Sequence, residues 1–358
     1  MRVKTYFAQQ VRPKKLMRVL LNGVATLSMT VLTLLLFSGD ARACASCGCT
    51  LSSDWENEQL SCTPGLKLDF RWDYLDQDQL RSGTKAISPA TASQIPNPQT
   101  GTNEEIEKYT VNNYFTMGID YSTGRDWGVS VQVPWINRNH STLGTESDGY
   151  TAGVEGPDGG QYNSHTSSLG DIKVLGRYQG FLPRHNIGIL FGLKLPTGSH
   201  TDTGTSTDPA APGQVPIDPG LQPGTGTTDA IVGAYYTDGL SLNLAYFAQA
   251  LYQKALDSRD QYKPGEALNL TLGLLYAGFS NFSPLLQLNY RYVVHDEGAT
   301  ADQINTGGTL LYISPGLTVS VSQQIAVYGF VQVPVYQYLN GVQLAPRYTA
   351  SLGVRYSF

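Results

Sequence analysis

Between residues 65 and 358, apolar and polar side chains alternate in repeated short stretches separated by turns and by longer polar loops. In the clearest stretch Leu66, Leu68, Phe70, Trp72 and Tyr74 alternate with Lys67, Asp69, Arg71 and Asp73. Successive strand residues point to opposite faces, so this segment reads as a strand with one apolar and one polar face. The same period predicts strands near 108–121, 127–137, 169–180, 186–197, 228–236, 240–253, 266–277, 282–292, 308–320, 325–336 and 347–358. That makes about twelve, each long enough to cross a bilayer when tilted. Five connections are tight (122–126, 181–185, 237–239, 278–281 and 321–324). The other six are longer, and three of them, near 77–107, 138–168 and 198–227, run to about thirty residues.

Past residue 43 no apolar run is long enough for a membrane helix. Closed, alternating strands can nevertheless span lipid, and tight turns at one end with long loops at the other mark outer-membrane barrels. The expected fold is therefore all-β: a transmembrane up-and-down antiparallel β-barrel of about twelve strands over residues 65–358. An even strand number leaves both termini on the tight-turn side, the periplasm. Ile187, Ile189, Phe191, Leu193 and Leu195 form one outward stripe, and Leu268, Leu270, Leu272, Leu274 and Tyr276 another. Trp72, Tyr74, Tyr121, Trp127, Trp135 and Tyr292 cluster near strand ends, where amphipathic rings suit the headgroup level. The chain closes on Tyr348, Ala350, Leu352, Val354, Tyr356 and Phe358, an aromatic end that resembles the signal read by the barrel-assembly machinery.

Composition agrees with this reading: only 15% of residues are charged, while Gly (38) and Tyr (22) are abundant. Residues 1–18 are basic, 19–37 are apolar, and Ala41-Arg42-Ala43 supplies a small-residue cleavage site. Residues 1–43 are thus expected to be a signal peptide, with a retained anchor helix as the alternative. Of the 24 basic and 29 acidic residues, seven and one lie in 1–43, leaving 17 against 28 and a net charge of −11. That sign excludes nucleic acid as a partner.

Several phrases stand in a telling order: Val133-Pro134-Trp135 with Arg138 and His140, then Leu169-Gly170-Asp171-Ile172, then Leu193-Lys194-Leu195-Pro196-Thr197-Gly198. Leu221-Gln222-Pro223-Gly224-Thr225-Gly226 with Asp229 and Val333-Pro334-Val335-Tyr336-Gln337 follow. Together they resemble the outer-membrane transporter family grouped with the MetA-pathway phenol-degradation proteins. The resemblance implies a barrel passing small, often hydrophobic or aromatic, compounds. The cysteine-rich start departs from the phenol-linked members, so phenol itself is not carried over.

Candidate pore-lining charges on the inward parity are Lys67, Asp69, Arg71, Asp73, Asp120, Asp171, Lys173, Arg177, Lys194, Arg291, Arg347 and Arg355. They either filter solutes by size and charge or form ion pairs that fill and stiffen the lumen. Cys44, Cys47, Cys49 and Cys62 fall in the N-terminal segment 44–64, expected to be periplasmic. Two disulfides, a soft-metal site for Cu(I) or Zn, and lipidation of Cys44 are the alternatives, and no other cofactor is indicated. His140-Ser141 and His295-Asp296-Glu297 read as ordinary loop residues, so no enzyme is expected. The expected function is an outer-membrane channel or facilitator for passive diffusion of small solutes, with lipid and solute as partners. The alternative is a non-conducting barrel acting in surface binding, metal capture or as a scaffold for a periplasmic redox partner. Nothing in the sequence marks an oligomeric state.

Overall fold

The computed structural model describes residues 64–358 apart from 100, 102, 105, 144–159 and 208–211. The expected signal peptide, Cys44, Cys47, Cys49 and Cys62 lie outside the described residues. From Gly65 onward the chain is almost wholly antiparallel β. The strands are β1 (Gly65–Gly83), β2 (Lys85–Ala86), β3 (Ile106–Ser122), β4 (Trp127–Leu143), β5 (Gln161–Leu169), β6 (Ile172–Tyr178), β7 (Ile187–Leu195), β8 (Thr203–Ser206) and β9 (Gly213–Pro216). They continue as β10 (Asp229–Gly239), β11 (Leu244–Ala255), β12 (Ala267–Tyr276), β13 (Phe282–Val293), β14 (Gly308–Ser320) and β15 (Ile325–Ser357). One helical turn, α1 (Pro89–Ala92), is capped by the Ser88 side chain.

The wall closes because β1 pairs on one edge with β3 and on the other with β15, Asp69 lying opposite both Gly118 and Arg355. Eleven strands make the ring, and β2, β5, β8 and β9 stand outside it. The count differs from the expected twelve at the last element. Following the antiparallel pairs around the ring, β14 and β1 run in opposite directions, yet β15 is antiparallel to both. β15 must therefore double back, pairing β14 through its first half and β1 through its second. Gly341, at φ 47° in a region that favours glycine, lies at the reversal. The expected separate strands 325–336 and 347–358 are thus one continuous element of 33 residues.

The expected strand 169–180 is split. β5 pairs the long-loop end of β4, β6 pairs its other end and β7, and the break falls at Gly170–Asp171. Opposite the break is Pro134, which has no N–H to give but accepts one from Gly170 at 2.8 Å. Several strands also run past the expected ends: β1 spans 19 residues and β3 and β4 each 17, so the wall rises well beyond bilayer height at the long-loop end.

The outward parity is apolar, with Phe70, Phe191, Leu270, Leu272, Leu274 and Leu352 among the exposed side chains. Paired rings border it at the tight-turn end, including Trp127 tilted against Tyr178 and Tyr356 edge-on to Phe358, each with centroids 4.6 Å apart. Such an exterior is costly in water and suited to hydrocarbon. Inside, the tight-turn half is filled. Leu285, Tyr328 and Phe330 form one cluster, and Leu175, Leu190, Ile231, Tyr235 and Leu251 another.

The wall assignment predicts opposite responses from adjacent positions. Leu272→Arg, on the outward face, should cost about 2–4 kcal/mol of unfolding free energy in lipid vesicles. Thr271→Ala, one residue away on the inward face, should cost about 1 kcal/mol. Guanidinium titrations of the two variants giving equal losses would show that the exterior does not face hydrocarbon.

Candidate functional site

Three of the sequence phrases meet at one carboxylate. Asp171, at the break between β5 and β6, accepts the Lys194 ammonium at 2.9 Å, the Gly198 amide at 3.0 Å and the Thr225 amide at 3.0 Å. Lys194 from β7 also reaches Asp229 of β10 at 3.2 Å, so one buried cation lies between two buried carboxylates. The Gly224 amide donates to the Ser199 carbonyl at 2.7 Å, bringing the two ends of the loop between β7 and β10 together. A Cβ on Gly224 would lie 2.6 Å from both Asp171 and the Gly198 carbonyl, so the close approach requires glycine.

The middle of that loop is drawn into the barrel. Pro219–Leu221 forms a short 3-10 turn, and Ile217 and Leu221 are buried. Gln222 holds the bend, accepting the Asp202 amide and donating to the carbonyls of Asp202 and Ile217, each at 3.0 Å. From β4, two strands along the wall from β7, Arg138 donates to the Gly220 and Gln222 carbonyls at 3.5 and 3.4 Å. Its remaining N–H groups go to Asn112 at 2.6 Å and the Tyr114 hydroxyl at 3.0 Å. The phrase containing Arg138 thus converges on the same segment.

Beneath this segment and above the apolar clusters lies a cavity of about 220 Å³. Its lining includes Arg71, Asp171, Lys173, Lys194 and Arg291 of the sequence-derived candidates. Ile136, Leu175, Ile231, Leu251 and Val293 give it an apolar wall. On the outer side of the inward segment is a second cavity of about 430 Å³, bounded by His200, Asp218, Arg259 and Asp260.

The other candidates lie elsewhere. Asp69, Asp120 and Arg177 are buried in the tight-turn half, and Asp73 is buried beside Arg71, opposite Tyr114 in the ladder. Arg177 pairs with Asp120 at 3.2 Å and Ser122 at 2.7 Å, Arg71 with Asp73 at 2.8 Å, and Arg355 with Asp69 at 3.6 Å. Lys67 lies opposite Asp120 and Ser357 in the ladder and is half-buried. Arg347 is exposed outside the cavity, bound to Asp78 at 2.7 Å beside an irregularity at Asp76–Gln79 that shifts the register. The placement of His140 and Ser141 in a loop is corrected: both are buried on β4, with His140 between the Thr110 and Thr142 hydroxyls at 2.8 and 2.6 Å. Asp296 is likewise buried, accepting from the Tyr262 hydroxyl at 2.9 Å.

Arg138, Gln222 and Tyr114 were absent from the sequence-derived pore set. Arg138 has the inward parity of Gln132 and Ile136, and that parity was the available signal. For Gln222 no strand period exists to read.

No family profile matches the chain, and no curated relative does. Among solved structures, an outer membrane channel from Pseudomonas putida F1 is similar at TM-score 0.55 and 11% identity, covering 83% of this chain and 96% of that one. The CymD monoaromatic hydrocarbon channel is similar at TM-score 0.47 and 11% identity, over 83% of this chain and 89% of that one. The Ralstonia pickettii toluene transporter TbuX follows at 0.43 and 11%, over 83% and 90%. The first of these shows that the chain shares the closed-barrel fold of an outer membrane channel.

Proposed function

We infer that this chain is an outer-membrane channel or facilitator through which small solutes, hydrophobic or aromatic ones among them, diffuse passively. The observation that carries this reading is the cavity inside the closed wall, bounded by an inward-folded loop that polar contacts hold in place. Residues 1–43 serve as signal peptide, the termini face the periplasm, and the barrel-assembly machinery inserts the chain. The phrases around Pro134, Asp171, Lys194 and Gln222 support a likeness to the MetA-pathway transporters. Its work needs no catalytic group: the wall provides the hole, the inward side chains the filter.

The filled tight-turn half favours a second reading, a barrel that binds at its loops without conducting. Planar-bilayer recording of protein purified from outer membranes separates the two. Stable unit conductances are expected; folded protein that inserts and never passes current would leave only the binding reading.

The inward loop acts as the lid of the cavity, and Asp171 is its clasp. Asp171→Ala should cost about 1–3 kcal/mol, because two backbone N–H groups lose their acceptor while Lys194 keeps Asp229. It should also raise the unit conductance and open proteinase K cleavage between residues 198 and 228. Unchanged conductance and unchanged cleavage together would remove the loop from any gating role.

A further inference from the structure

The cavity carries a charge opposite to that of the chain. The whole sequence has a formal net charge of −5, yet the cavity lining holds five cationic and three anionic side chains. Lys194 is matched by Asp171 and Asp229, and Arg71 by Asp73. Asp296, the third lining carboxylate, accepts from the Tyr262 hydroxyl and the Gly265 amide. With Asp73 counted, five cations face four carboxylates, and among the described residues Arg138, Lys173 and Arg291 have no carboxylate partner. Arg138 is held by an amide, a hydroxyl and two carbonyls, all neutral, which leave its charge in place. Arg291 gives one N–H to the Asn269 side chain at 2.9 Å and is otherwise turned to the cavity. Lys173, on the parity of Asp171 and Leu175, faces the same space.

Size and lining narrow the ligand further. An apolar cavity of about 150 Å³ holds benzene, so 220 Å³ has room for one ring with one polar substituent. Leu175, Ile231 and Leu251 offer that ring an apolar wall, and the cations are aimed into the same volume. In a site partly closed to water, charge-assisted hydrogen bonds to a carboxylate are stronger than those to a neutral hydroxyl. We propose that the cavity is a binding site for a compact organic monoanion, a carboxylate on a single-ring apolar body, with Arg291 and Lys173 contacting the carboxylate. Arg138 sets the local potential and holds the roof. The excess positive charge disfavours cationic analogues of the same size.

This proposal rests on the channel reading for the route by which the ligand arrives, and equilibrium binding tests it without requiring conduction. The probes are benzoate, benzyl alcohol and benzylamine, nearly equal in size and carrying charges of about −1, 0 and +1 at neutral pH. They are titrated calorimetrically into detergent-solubilised full-length protein. Benzoate should bind about tenfold tighter than benzyl alcohol, and benzylamine weakest. Arg291→Gln and Lys173→Gln should each cut benzoate affinity about tenfold and narrow the gap to benzyl alcohol. Arg347→Gln, outside the cavity, should keep the full preference. Lys173 is half-buried, so its variant stays informative if loss of the buried Arg291 prevents folding, which heat-modifiable migration reports. Benzyl alcohol or benzylamine binding as tightly as benzoate, or no binding of any of the three, overturns the proposal. Protein that binds benzoate and never conducts overturns the channel reading alone; protein that conducts without distinguishing the probes overturns this one alone.

Discussion

One buried ammonium organises the upper half of the barrel. Lys194 is 5% exposed, and a charge so placed must be paired or it destabilises the fold by several kcal/mol. Its partners come from three places at once: Asp171 at the break between β5 and β6, Asp229 at the start of β10, and the Thr225 hydroxyl in the inward loop. Satisfying Lys194 therefore fixes where β7 ends, where β10 begins, and how the 33 residues from 196 to 228 return to the wall. Because Asp171 also accepts the Gly198 and Thr225 amides, the same charge pair decides that the loop turns inward. The break in the wall belongs to this arrangement. A continuous strand through Gly170 and Asp171 would commit those residues to the ladder.

A narrow closed ring has little interior to spare, and the chain uses it in two ways. Near the tight turns, large side chains reach over an intervening strand and meet inside the ring. Tyr328 donates to Asp69 at 2.8 Å, Tyr235 to Gln179 at 2.8 Å, and Phe330 packs with Leu285. Further up, Thr116 and Gln132 line the space, and the loop enters from above. The cavity is what remains between an apolar floor and a hydrogen-bonded roof. Its apolar wall and its cations arise from the same inward parity.

The barrel itself was legible because lipid on one side and packing on the other impose a strict period of two, as at Leu268–Tyr276. Legibility ended where that constraint ends. Above bilayer height β1, β3 and β4 lose the outward apolar stripe, and Leu80, Ile106 and Leu143 pack instead with Ala92, Val342 and Leu344. Gln77, Gln79 and Arg81 continue the ladder without an apolar parity, so the strands were read as stopping short and His140 was placed in a loop. The reversal within β15 was expected, but its length was not: pairing reaches Leu339 on the first arm and is present again at Gln343 on the second, through a segment with no outward apolar requirement. Arg347 was assigned to the lumen by counting parity through the irregularity at Asp76–Gln79, which shifts the register relative to β15.

The site was half legible for a related cause. Lys173, Lys194 and Arg291 sit on strands and inherit their direction from the period, and Asp171, one residue before β6, keeps the parity of Lys173. Gln222, Gly220 and Pro219 belong to a loop whose course is set by long-range contacts from Arg138 and Asp171, and local sequence carries no trace of them. The order of the sequence phrases held that information in another form. Val133–Arg138, Leu169–Ile172, Leu193–Gly198 and Leu221–Gly226 are scattered over 94 positions of sequence, yet in the fold each contributes to one network around Asp171, Lys194 and Arg138. Residues that must meet at a buried charge have fewer tolerated substitutes than residues that need only be apolar and outward. A short phrase can therefore stand out against a wall built from interchangeable side chains.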